Sequence, residues 1–181
     1  MSVIVDWTGS MYSYVGQVIR WQQVNKDKQL IPNMVVFNDG DDKKRNANSG
    51  GKMLGSTGGM YHPDHSNIDA FLKMLATAVD NGNGGDGSEN DMEVILASQQ
   101  LCHGEKEFIL IADSSAIRDI SLASQIKRPV YVIICDSVSD DYMQLAKMTK
   151  GGITWPGGYI DYSGKKCNKR HVHIDEVDCA G

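Results

Sequence analysis

The chain has 181 residues, 41% of them hydrophobic and 23% charged, with a formal net charge of −5 at pH 7. That length fits one domain able to bury a core without disulfide or metal staples, and the acidic balance lacks the basic field on which nucleic-acid affinity depends. No apolar run approaches the roughly 20 residues of a membrane helix, so membrane insertion is not expected.

Val3, Ile4 and Val5 form a short apolar run that reads as a buried strand, and it stops at Asp6-Trp7-Thr8-Gly9-Ser10. Asp6 interrupts the apolar start too early for a secretory signal. The chain is therefore expected in the cytoplasm if Met1 is the native start, and outside it if a leader has been removed. Met11, Val15, Val18 and Ile19 recur at helical spacing, which places the polar cluster on a strand-to-helix turn. Met34 to Phe37 is a second apolar strand, again ending in polar residues, Asn38 and Asp39. Residues 43–65 read as a surface excursion with a weak strand near Lys52 to Gly55.

Ile68, Phe71, Leu72, Leu75 and Val79 repeat as one helix face from about Asn67 to Asp80. The glycine-rich stretch Asn81 to Gly87 follows, with backbone freedom suited to close approach of a ligand. Ser88, with Asp91 three positions on, predicts the N-cap of a helix running to about Cys102. Phe108 to Ala112 is the strongest buried-strand signal and stops at Asp113. A short helix is expected around Ile117 to Leu122, and a strand over Pro129 to Ile134. A further helix spans Ser139 to Lys150 and is closed by Gly151-Gly152, with an edge strand at Ile153 to Trp155. Alternating helices and continuous apolar strands predict a Rossmann-like, doubly wound α/β fold: a mostly parallel sheet with helices on both faces. In such sheets ligands bind beyond the carboxyl ends of the strands, where Asp6, Asp39 and Asp113 fall.

Asp, Ser and Thr at these turns also suit plain helix capping. Three strand or loop ends presenting carboxylates, one with two hydroxyls beside it, point further, to an oxygen-rich site for Mg²⁺, or else Mn²⁺ or Ca²⁺. Asp6-Trp7-Thr8-Gly9-Ser10 resembles the D-x-[ST]-x-S signature of the metal-ion-dependent adhesion site in von Willebrand factor type A domains. Gly84 to Glu89 resembles the G-G-D-x-P-E form of that family's second motif, found in a bacterial and hemicentin-like branch. Ile111 to Asp119 resembles its third motif, with Arg118-Asp119 in the place of [KR]-D. The order is that of the family, over residues 2–155. Ser88 stands where the branch has Pro, and Ala112 where the third motif has Thr.

The resemblance implies a type A fold over residues 1–160, with 161–181 as a C-terminal extension of unknown structure. It implies Thr8 and Ser10 as direct ligands, Asp6 and Asp113 as direct or water-bridged ligands, and Asp86 in the place usually held by Thr. Asn38, Asp39 and Ser88 are candidates to support them. It further implies a non-enzymatic adhesion or interaction module, in which an Asp or Glu from a protein partner completes the cation's coordination. Trp7, Tyr12 and Tyr14 flank the site in sequence and fit either apolar contact with that partner or packing in the core.

Four cysteines are too few and too unevenly placed for a disulfide framework. In the tail, Cys167, His171, His173 and Cys179 would share one face of an extended strand and are zinc-ligand types. Their spacing matches no common zinc motif, so an exposed polar face or a Cys167–Cys179 disulfide is preferred over zinc.

The rival reading is a Mg²⁺-dependent phosphohydrolase or phosphotransferase of the haloacid dehalogenase type. Asp6-Trp7-Thr8-Gly9-Ser10 also resembles its D-K-T-G-T motif, with Asp6 as nucleophile, and Asp86 to Asp91 resembles D-G-x-N-D. That second match is off by one residue and lacks a preceding apolar strand and lysine motif. Thr8 replaces the usual second carboxylate, and Asp113 is left without a role. Phosphate-binding loops of the G-x-G-x-x-G or G-x-x-x-x-G-K-[ST] form do not follow any strand. A structural domain with an inactive site would show no metal dependence.

Overall fold

The computed structural model describes residues 1–26, 33–39, 59–64, 66–82, 87–102 and 104–164. Strands β1 (Ser2–Asp6), β2 (Asn33–Phe37), β3 (Met60–Tyr61), β5 (Phe108–Ala112), β7 (Val130–Ile134), β8 (Gly152–Trp155) and β9 (Gly158–Asp161) form one sheet. Their order is β3-β2-β1-β5-β7-β8-β9, and only the outermost strands, β3 and β9, run antiparallel to their neighbours. A separate parallel pair joins β4 (Ser88–Glu89) to β6 (Ala116–Ile117). Helices α1 (Val15–Lys26), α2 (Ile68–Asn81), α3 (Asp91–Leu101) and α4 (Asp140–Met148) complete the fold. It is the expected doubly wound α/β architecture.

Side-chain alternation along the strands sorts the core into two layers. Val3, Val5, Val36, Ile109 and Ile111 pack with Trp21 of α1 and with Phe71 and Leu75 of α2. Ile4, Val35, Leu110, Ala112 and Val132 pack on the other face with Met92 and Ile95 of α3 and with Tyr142 and Leu145 of α4. The central strands are buried on both faces, which is why β1 and β5 read as unbroken apolar runs rather than as alternating ones.

The structure corrects several local expectations. The first helix is preceded by a 3-10 turn, Gly9–Tyr14, so regular helix begins only at Val15. Ser88 does not cap α3. It lies in β4, and the helix starts after Asn90. The expected helix at 117–122 is a strand residue followed by a 3-10 helix, Ile120–Gln125. Ile153 to Trp155 is not an edge strand, because the hairpin through Gly157 brings β9 outside it. At the close of α4, Lys150 takes the left-handed conformation (φ 57°), and Gly151 lies so close to β7 that a Cβ would sit 1.8 Å from the Val130 carbonyl oxygen. The weak strand near 52–55 lies outside the described residues. Among the described residues, no helix is long and apolar enough to cross a membrane.

Candidate metal centre

Chain order reverses direction between β1 and β5, since β1 is flanked by β2 on one side and by β5 on the other. A crevice opens at such a switch point beyond the carboxyl ends of the strands. Val5 is level with Ile111 across this junction, so Asp6 and Asp113 leave the sheet beside one another. Each carboxylate is held in the same way. Asp6 Oδ1 accepts the Thr8 amide at 2.8 Å, and Asp113 Oδ1 accepts the Ser115 amide at 2.8 Å. These local turns fix both side chains, as simple capping would.

Capping leaves half of each carboxylate unexplained. Asp6 Oδ2 and Asp113 Oδ2 are buried with no hydrogen-bond partner among the described residues. Buried polar atoms almost always find a partner, and a buried charged oxygen without one is expensive. Beside them, Thr8 Oγ1 lies 3.3 Å from Ser10 Oγ. Asp6 and Thr8 are buried and Ser10 is exposed, so the carboxylates form the floor of the site and Ser10 its rim. Burial pushes the Asp6 carboxyl up to about 7 against the pull of the Thr8 amide, and the charges of Asp113 and Asp39 add to the rise.

Asp39, in the left-handed region at φ 57°, is buried beyond the end of β2, and its Oδ1 accepts the Asn90 amide at 3.0 Å. It thereby ties the second strand end to the segment before α3. Asn38 points elsewhere: its Nδ2 donates to the Ala78 carbonyl at 3.0 Å and reaches the Gly82 carbonyl at 3.4 Å, closing the end of α2. Ser88 is half-buried beside Glu89 in β4. Trp7 is a core residue of the α1 and α2 layer and offers no surface for a partner. Asp86, Cys167, His171, His173 and Cys179 lie outside the described residues. Cys102 and Cys135 are buried thiols and form no disulfide.

The structure adds acids to which the sequence reading gave no role in the site. Glu89 is 2% exposed, and its Oε2 has no hydrogen-bond partner among the described residues. Burial, the charge of Asp6 and a hydrogen bond with Asp39 push its carboxyl up to about 10. Asp91 is fully buried and accepts the Tyr142 hydroxyl at 3.2 Å. Burial and the charges of Asp6, Asp119 and Asp39 raise it well above the carboxylate range. The signal for Glu89 was its place as the acid of the second motif. For Asp119 it was the acid of the third.

Among the described residues, no three His, Cys, Asp or Glu side chains are arranged to hold a metal ion by themselves. The described donors that suit a cation at the switch point are two carboxylates and two hydroxyls, a hard-oxygen set of the kind Mg²⁺ accepts alongside water.

No family model and no curated protein match the sequence. A solved structure similar to this chain is a von Willebrand factor type A protein from Catenulispora acidiphila, at 14% identity and a TM-score of 0.48, covering 85% of this chain and 37% of that one. The chain thus spans little more than a third of that protein's length.

Proposed function

We propose that this chain is a metal-dependent protein-binding module of the von Willebrand factor type A kind, with Asp6, Thr8, Ser10, Asp86 and Asp113 as its cation ligands. The observation that carries the reading is the pair of buried oxygens, Asp6 Oδ2 and Asp113 Oδ2, without a partner among the described residues and brought together at the switch point of the sheet. Two oxygens of like charge repel and have lost their water, and a divalent cation removes both costs. The hydroxyls of Thr8 and Ser10 supply neutral oxygens, so the donor set fits Mg²⁺, with Mn²⁺ or Ca²⁺ as substitutes. Bound there, the cation supplies a positive centre to which an Asp or Glu carboxylate from another protein can bind. Ser10 is exposed, so that carboxylate approaches from the rim.

Binding fits this geometry better than phosphoryl transfer. Asp6 is fully buried and its Oδ1 is occupied by the Thr8 amide, which does not present a nucleophile to a phosphate. Mg²⁺ or Mn²⁺ is therefore expected to raise the melting temperature of the wild type and to leave that of Asp6→Ala unmoved. Equal shifts in the two proteins refute the metal site. Turnover of a generic phosphate ester that disappears in Asp6→Asn overturns the binding reading in favour of phosphotransfer.

A further inference from the structure

Strand β7 ends beside the switch point and adds a charge to its rim. It pairs with β5 in parallel register, Ala112 level with Ile134, and the Cys135 amide donates to the Ala112 carbonyl at 2.9 Å. Continuing that register sets Ser114, the residue after Asp113, level with Asp136 across strands about 5 Å apart. The two carboxylates have opposite surroundings. Asp113 is 4% exposed, whereas Asp136 is exposed and accepts the Ser114 hydroxyl at 3.3 Å. Among the described residues, Asp136 forms no ion pair. The connections after β1, β5 and β7, residues 7–14, 113–115 and 135–139, contain no lysine or arginine. Arg118, past β6, has its Nη2 2.7 Å from the Ser88 carbonyl. A further acid, Asp140, is exposed at the start of α4.

We infer that Asp136 selects the partner of this site: the acidic residue whose carboxylate reaches the cation is flanked by lysine or arginine in the partner's own chain. The inference rests on the metal-dependent binding reading above. A bound cation neutralises the incoming carboxylate, so Asp136 does not forbid an acidic residue as such. The residues beside it in the partner have no such compensation. In an extended segment successive residues are about 3.4 Å apart, so those one or two places away fall within about a Debye length of Asp136, about 8 Å at physiological salt. A like charge there is repelled and an opposite one is attracted, which is how rim charges sort partners and set association rates. Each exposed pair is weak, changing affinity by up to about fivefold, so the selection accumulates over the flanking positions.

An array of immobilised peptides, each with a central Glu and randomised flanks, tests the selection when probed with the whole chain in Mg²⁺ and in EDTA. Peptides retained only in Mg²⁺ are expected to be enriched at least about threefold in Lys and Arg over Asp and Glu beside the central residue. The bias should fade in about 0.5 M salt. Asp136→Asn is expected to lose most of the enrichment and Asp136→Lys to reverse it. Because Asp136 is exposed, the Asn variant should keep nearly the wild-type rise in melting temperature with Mg²⁺. A lost rise makes Asp136 part of the metal site and overturns the selection. Asp69→Lys is the charge-matched control: Asp69 stands in the first turn of α2, about 18 Å along the helix from the end that Asn38 closes, and its variant should keep the wild-type preference. Mg²⁺-dependent retention with no flanking preference overturns the selection and leaves the metal site standing. So does a preference that Asp136→Lys leaves unchanged or that Asp69→Lys equally reverses. No retention by the wild type, or retention that EDTA does not alter, overturns both.

Discussion

Glu89 is an acid whose environment has no use for its charge. It is buried next to Asp39, in the field of Asp6 and Asp91, and its carboxyl rises to about 10. Asp6 rises to about 7 and Asp119 to about 6, both mainly through burial. In each case the folded state binds the proton more tightly than the unfolded chain, so each contribution is complete below the unfolded value and is lost as pH climbs through the folded one. The metal-free protein is therefore expected to lose stability steadily from about pH 5 to pH 9, the reverse of ordinary acid denaturation. Glu89→Gln mimics the protonated acid and should flatten the part of the decline above pH 7. Melting temperatures taken in EDTA across that range check both statements. A wild-type curve that rises with pH, or a variant that falls as steeply as wild type, contradicts them. At this scale the sequence marks Asp6 and Asp113 because each ends an apolar strand. It does not mark Glu89 as buried, since a Glu after Gly and Ser reads as a solvated loop residue until β6 is laid beside it.

The start of α3 shows the same limit one level up. Local spacing selects Ser88 as the cap, yet the helix begins at Asp91, and Asn90 in the N-cap position makes no side-chain capping bond. The cap comes instead from Asp119, whose two oxygens accept the amides of Met92 at 3.1 Å and Glu93 at 2.7 Å. A partner 27 positions away in the chain is outside any window of helix-start patterns. The same holds for β6, where apolar spacing alone reads as helix and a strand partner decides otherwise. By contrast, the extent of α2 is legible: Asn67 caps it through Asp69 and Ala70, and Phe71, Leu75 and Ala78 bury one face, although Leu72 and Val79, which spacing assigns to that face, are exposed. Asp119→Ala should cost about 2 kcal/mol, as loss of a charged helix cap does, and Asp119→Asn roughly half of that. Urea midpoints at pH 7 with an unchanged slope measure the cost. A change below about 0.5 kcal/mol in the alanine variant would show that the cap is not supplied from there.

At the scale of the molecule, the loops that meet at the switch point are rooted in different layers. Trp7 and Met11, on either side of Thr8 and Ser10, are buried in the layer with α1 and α2. Ile117 and Met92, near the ends of the other two segments, are buried in the layer with α3 and α4. A cation held between Asp6 and Asp113, as proposed above, would join two cores otherwise separated by the sheet. The sheet and its two helical layers follow from apolar periodicity alone, which is why the architecture was legible while the pairing of the loops was not. Ligand binding to the folded state alone adds about 2.7 kcal/mol at a hundredfold excess over Kd. In a chain of this size that corresponds to a rise of roughly 5–11 °C in melting temperature. Leu110 is fully buried beneath the α3 and α4 layer, one residue along β5 from Ile111 and three before Asp113. Leu110→Ala should destabilise the metal-free protein by about 2–5 kcal/mol through lost burial and the cavity left behind. Its melting temperature should still rise with Mg²⁺ by nearly the wild-type increment, because a truncation in the core leaves the ligands in place. Loss of the increment in Leu110→Ala would mean that the site is held by the packing of that layer and not by the turns at Asp6 and Asp113.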